Sequence, residues 1–64
     1  MISNLTPQQA ADAVGISKST LAKLRLKGDG PKYLKIGKSI LYRPNDVEEW
    51  MASRVFNSTS EYVA

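Results

Sequence analysis

The sequence predicts a small α+β domain, mostly α, in the order helix, helix, β-hairpin, helix, with a C-terminal tail. Three observations carry that expectation. Two helical segments with start and stop signals stand back to back between Pro7 and Lys27, the apolar period shifts to strict alternation near Tyr33, and a third helical segment follows Pro44. At 64 residues the chain makes one domain. Residues 1–54 form the folded unit, and 55–64 a tail that is flexible or in contact with another protomer.

The first helix has a complete start signal. Thr6 offers an N-cap hydroxyl, Pro7 fits the first helical position, and Gln9 stands where a capping box needs it. Leu5 and Ala10 are spaced for a hydrophobic staple. Ala10, Ala11 and Val14 form the apolar face, and Gly15 stops the helix where a left-handed residue is wanted. The second helix follows at once, with Ser17 as cap, Lys18 to Lys27 as body and Gly28 as stop. Leu21 and Leu24 make its buried stripe. Leu26 fits that stripe poorly and is expected to meet another element or to be partly exposed.

Gly28-Asp29-Gly30-Pro31 is a turn cluster. Beyond it Leu34 and Ile36 share one strand face, with Tyr33 and Lys35 on the other. Gly37-Lys38, with or without Ser39, forms the tip of a hairpin whose second strand runs to Arg43 and places Ile40 and Tyr42 together. Pro44 ends that strand. Asn45-Asp46-Val47-Glu48 then reads as the capping signal of a third helix, with Val47, Trp50 and Met51 as its inner face. The expected core is Ala11, Val14, Ile16, Leu21, Leu24, Ile36, Tyr42, Val47, Trp50 and Met51, anchored by Trp50 as the largest apolar side chain.

Composition narrows the function. The chain has no cysteine and no histidine, which removes disulfides, thiolate metal sites, the usual zinc ligands and the usual general base. The six carboxylates show no metal-binding or glycosidase spacing. An enzyme, a cofactor and a bound metal are therefore not expected. No apolar run approaches the roughly 20 residues of a membrane span, and the N-terminus lacks the pattern of a secretory signal. A cytoplasmic protein without a membrane partner is expected.

Charge is unevenly placed. All nine basic residues except Arg54 lie between Lys18 and Arg43, where Asp29 is the one acid. Such a block is the electrostatic footprint of a polyanion partner, or else a solvated basic face. The spacing of the first two helices bears on the choice. Ala11, Gly15, Ile16, Leu21 and Leu24 match a helix-turn-helix unit: a small residue at the crossing, a sharp turn, and aliphatic side chains pinning the pair. A plain helical hairpin would pack similarly, but the basic second helix and the following hairpin favour a winged helix-turn-helix reading double-stranded DNA.

In that arrangement the second helix enters the major groove, and its candidate contacts are Ser17, Lys18, Ser19, Thr20, Lys23, Arg25 and Lys27. Ser17 and Thr20 can equally act as caps, while Arg25 and Lys27 also suit the negative end of the helix dipole. Wing candidates are Lys35, Lys38, Ser39 and Arg43, placed to straddle the backbone or dip into a minor groove. Lysine on an edge strand can also merely block aggregation.

Leu5-Thr6-Pro7-Gln8-Gln9-Ala10-Ala11, Gly15-Ile16-Ser17-Lys18-Ser19-Thr20-Leu21, Gly30-Pro31, Lys35-Ile36-Gly37, Tyr42-Arg43 and Asp46-Val47-Glu48-Glu49-Trp50 occur in order and without gaps. In this the chain resembles the small excisionase and AlpA-type regulators, whose fold is a MerR-like winged helix. The resemblance implies DNA binding through the second helix and wing. It also implies a role as a recombination directionality factor on a mobile element of a bacterium or phage, acting with a tyrosine or serine integrase, or as a transcriptional regulator. Excisionases of this kind often load side by side, which implies head-to-tail self-association, with Phe56, Tyr62 and Val63 of the tail as candidate contacts. Where many relatives carry a basic residue in the second wing strand this chain has Leu41, a side chain better suited to a protein contact than to a phosphate. The resemblance to full MerR regulators stops short of their dimerisation helix and effector domain, so no small-molecule effector is expected.

Overall fold

A computed structural model, which describes residues 3–55, contains α1 (Pro7–Val14), α2 (Lys18–Lys27), β1 (Leu34–Ile36), β2 (Ser39–Leu41) and α3 (Pro44–Ala52) in that order. The strands form an antiparallel hairpin, and the architecture is a small, mostly helical winged helix-turn-helix. Apart from Val55, the tail expected over 55–64 lies outside the described residues, Phe56, Tyr62 and Val63 included.

Local chemistry sets the helix ends. The Gln9 backbone N–H donates to the Thr6 hydroxyl at 3.1 Å and the Thr6 N–H to the Gln9 side chain at 2.9 Å, closing the capping box. Gly15 has φ 90°, and its N–H donates to the Ala11 carbonyl at 2.8 Å. A methyl group at Gly15 would meet nothing within 4 Å, so the left-handed backbone, rather than a steric clash, demands glycine there. In α2 the Thr20 N–H donates to the Ser17 hydroxyl at 3.1 Å, and Gly28 ends the helix with φ 74°. Gly30 allows a close approach instead: a Cβ there would lie 3.1 Å from the Leu24 Cβ, a tight contact that Leu24 would have to give way to.

The third helix starts two residues earlier than its capping signal suggests, since Asn45 stands in the cap position of that signal. Arg43 is the N-cap, without a side-chain cap bond, and Pro44 opens the helix with its fixed φ. Asp46, expected to serve the cap, instead accepts from the Arg43 Nε at 2.6 Å.

The hairpin turns on two residues. Gly37 has φ 60° whereas Lys38 does not take a positive φ, which is the type II′ arrangement, and Ser39 already belongs to the strand. Pairing is Leu34 with Leu41, Lys35 with Ile40 and Ile36 with Ser39. Directly paired residues share a face, so Ile36 lies with Leu34, Leu41 and Ser39 on the side away from the core. Ile36 is 61% exposed, and its expected place in the core is corrected on that account.

The buried core is Ala10, Ala11, Leu21, Tyr42 and Val47, with Leu5, Val14, Ile16, Ile40 and Met51 packed around it. Tyr42, not Trp50, is its largest fully buried side chain. Trp50 is only half-buried: it lies beside the loop after α2, where its Nε1 donates to the Asp29 carbonyl at 2.8 Å. Leu24 is likewise half-buried, under Gly30.

Tyr42 also makes contacts that local sequence patterns do not announce. Its backbone pairs with Leu5 in both directions, N–H to carbonyl, at 2.7 and 2.8 Å. Its hydroxyl accepts from the Arg25 guanidinium at 3.0 Å, and its ring lies 6.2 Å from that of Tyr33. The Arg25 guanidinium in turn sits 6.0 Å from the Tyr33 ring centroid, at the outer limit of a cation–π contact.

Two stability predictions follow from this packing. Tyr42→Ala should cost about 3–5 kcal/mol in urea unfolding, comparable to the whole stability of so small a domain, whereas Trp50→Phe, which removes one hydrogen bond, should cost about 1 kcal/mol. Arg25→Ala should also cost about 1 kcal/mol and lower the melting temperature by roughly 4–8 °C, while Lys23→Ala leaves it unchanged. Equal melting of those two variants would show that the Arg25–Tyr42 bond contributes nothing.

Candidate nucleic-acid interface

Helix α2 divides cleanly by face. With Leu21 buried as reference, the 100° step per residue puts Leu24 and Arg25 inward and Ser19, Lys23 and Leu26 outward, at i, i+4 and i+7. Lys27 flanks this outward strip, while Lys18 opens the helix nearer its inner side; both are exposed. The helix contains no acid. Its N-terminal turn is closed internally, since the Ser17 hydroxyl both accepts from the Thr20 N–H and donates to the Thr20 hydroxyl at 2.8 Å. Ser17 and Thr20 thus serve as a cap and its support, and Ser19 is the hydroxyl of that turn left on the outward face.

The C-terminal end is closed as well. The Asp29 N–H donates to the Leu24 carbonyl at 3.0 Å, and the Asp29 carbonyl accepts from both Trp50 Nε1 and the Arg54 guanidinium, each at 2.8 Å. The Arg54 guanidinium also lies 5.2 Å from the Trp50 ring centroid, a cation–π geometry that sets the two donors side by side, and their bonds to the Asp29 carbonyl tie the α3 end to the loop after α2. Both ends of α2 are therefore fixed, and its outward side chains start from a defined position.

Arginines and lysines take different parts. Arg25 bonds Tyr42, Arg43 pairs with Asp46, and Arg54 bonds Asp29. Arg25, expected among the DNA contacts of the helix, is instead half-buried on its inner side, because its guanidinium satisfies the buried Tyr42 hydroxyl. Arg43 remains about half-exposed, and the Asp46 carboxylate raises its pKa through the hydrogen bond first and the charge second. By contrast, none of the hydrogen bonds and ion pairs among the described residues uses a lysine. Lys18, Lys23, Lys27, Lys32, Lys35 and Lys38 are all exposed.

On the hairpin, Lys38 occupies the tip, Lys35 and Ser39 are exposed on the strands, and Arg43 follows at the start of α3. The wing candidates are therefore solvent-facing, with Arg43 tied to Asp46. The acids Asp46, Glu48 and Glu49 cluster on α3, directly after the basic block that ends at Arg43. Leu26, which no functional expectation covered, is 86% exposed on the outward strip of α2. Its misfit to the apolar stripe is the signal in the sequence that marks it.

Among the described residues no group of three or more acidic, histidine or cysteine side chains could hold a metal ion. No helix among them is long and apolar enough to cross a membrane. What the arrangement offers is a capped, basic helix with an outward strip of short polar, cationic and apolar groups, beside a lysine-tipped hairpin. Such an arrangement suits the surface of a nucleic-acid duplex.

Comparison with known proteins agrees with that geometry. No curated protein matches the chain. The sequence model of a family described as a helix-turn-helix domain matches residues 5–55, from the Leu5 strand pairing to the end of the Trp50–Arg54 clamp. The chain belongs to this family of DNA-binding helix-turn-helix domains.

Proposed function

We propose that the protein is a sequence-specific DNA-binding excisionase, a recombination directionality factor with a MerR-like winged helix. It loads on an attachment site of a mobile element in a bacterial or phage genome and turns the integrase toward excision. The observation that carries DNA reading by α2 is its outward strip, Ser19, Lys23 and Leu26 flanked by Lys27, with Lys18 exposed at the helix start, on a helix fixed at both ends. In the proposed complex α2 lies along the major groove, with Ser19 of its N-terminal turn and the rest of its outward strip toward the base edges. Lys38 and Lys35 of the wing follow the phosphate backbone or the minor groove, and Arg43 joins them if Asp46 releases it.

The excisionase role rests on the residue pattern shared with small excisionases, which this family includes. The protein carries out no chemistry in this reading; the integrase cuts and rejoins. Several copies lie head to tail on repeated sites, in the cytoplasm and on the nucleoid. The AlpA-type alternative, a regulator of the integrase gene or of neighbouring genes, would use the same surface on a promoter.

Selection of bound sequences from a randomised duplex pool at near-physiological salt tests this reading. Enriched direct repeats at fixed spacing are the expected result. An enriched inverted repeat would assign a symmetric dimer and favour the transcriptional regulator, and no enrichment would leave a basic module for an acidic protein partner. On the selected site, Lys23→Ala should weaken binding without altering the melt. Lys35→Ala and Lys38→Ala should each reduce the slope of log affinity against log salt by about 1, with little change in sequence preference.

A further inference from the structure

From the exposure of Leu26 we infer a second kind of readout on α2: its side chain recognises the C5-methyl group of thymine in the major groove. The inference rests on the DNA-binding reading above and extends it to the chemistry of the bases chosen. Leu26 is 86% exposed in the ninth position of a ten-residue helix, although a leucine here gains nothing from water. It shares the outward strip with Ser19 and Lys23, so a groove that receives those two receives it as well.

The surroundings of Leu26 specify what covers it. Lys23, one turn earlier, and Lys27, the next residue, are exposed on the same flank of the helix, and α2 has no acid to offset them. The partner surface must therefore be anionic and must also present an apolar group within the reach of one leucine. Among the groups exposed in the major groove, the thymine methyl is the apolar one; the others are hydrogen-bond donors and acceptors.

The fate of the arginines points the same way. Guanine is read by arginine or lysine, and the rigid planar fork that does so most specifically belongs to arginine; Arg25, Arg43 and Arg54 are all engaged within the protein, which leaves that role to lysine. Lysines bind phosphate as point charges and discriminate less sharply among bases. Discrimination then passes to the uncharged members of the strip, Ser19 by its hydroxyl and Leu26 by its apolar surface.

The test replaces each thymine of the selected duplex, one at a time, with deoxyuridine, which deletes only the methyl group. Binding of the wild-type protein is compared with that of Leu26→Ala, a change to the best helix former at an exposed position. For the wild type, one or two replacements should weaken binding about threefold to fivefold, the worth of one buried methyl. For Leu26→Ala the same replacements should have no effect, and its affinity for the unmodified site should equal that of the wild type for the methyl-deleted one.

Other outcomes overturn the inference in distinguishable ways. Selective binding in which deoxyuridine effects persist in Leu26→Ala, or never occur, would sink the thymine contact while leaving DNA reading intact. A melting temperature lowered by Leu26→Ala would show that the side chain is covered within the free protein. Loss of cooperative loading without loss of single-site affinity would assign Leu26 to a second copy of the chain. Absence of selective binding by the wild type would remove the reading on which the inference stands.

Discussion

The phenol of Tyr42 is the point at which the separate parts of the fold are tied together. Its backbone holds the Leu5 segment that leads into α1, its hydroxyl holds Arg25 of α2, and its ring faces Tyr33 at the foot of the hairpin. A domain of this size buries too little surface for any one helix pair to be stable alone. One side chain that engages the N-terminal segment, the reader helix and the wing therefore has more effect here than it would in a larger core. The full burial of the phenol also explains why Arg25 faces inward: a buried hydroxyl without a partner would cost more than the guanidinium loses by leaving solvent.

The second constraint is the closure of α2 at its ends. Ser17 and Thr20 satisfy the first turn, and Gly28 with Asp29 closes the last. The Asp29 carbonyl then receives two donors from the region of α3, Trp50 and Arg54, so that α3 positions the reader helix without occupying its outward face. This arrangement divides the work between the helices. Of the α3 acids, Asp46 pairs with Arg43 at the base of the hairpin rather than at its tip. The bases Lys35 and Lys38 remain free at the far end, where a phosphate backbone would meet them.

Much of this was legible in the sequence because its signals are local. The Thr6–Gln9 capping box, the glycines at 15 and 28, the two-residue hairpin tip and the succession of elements depend on neighbours within four residues, and all occur as expected. Apart from the start of α3, where Pro44 rather than the Asn45–Glu48 signal sets the first helical residue, the departures depend on long-range geometry. Trp50 has the largest side chain, but the helix pair and the hairpin close over Tyr42, and the indole is left to serve an exposed loop carbonyl. Ile36 alternates correctly with Leu34, yet the type II′ turn fixes a register that sends that face outward. Arg25 lies among lysines in the sequence, and only the position of Tyr42, seventeen residues later, turns it inward. Of the candidate interface, the exposed lysines and Ser19 lie as the sequence suggests. The engagement of the arginines and the outward position of Leu26 required the fold.

These departures share a cause that bears on recognition. Each arginine has a structural partner: a buried hydroxyl, a helix-start carboxylate or a loop carbonyl, all acceptors that suit a planar, multidentate donor. The lysines, whose charge is compact and strongly hydrated, are left on the surface. A protein with that division attracts a duplex strongly through its phosphates and can read guanine only through lysine, without the rigid arginine fork. Its preference among sequences must then come from the fixed placement of a few short side chains, and fixed placement is what the ties at both ends of α2 and the Arg25–Tyr42 bond provide. The interactions that stabilise the domain and the features that would make it selective are thus the same, and loosening the helix would be felt first as lost discrimination and only afterwards as lost affinity.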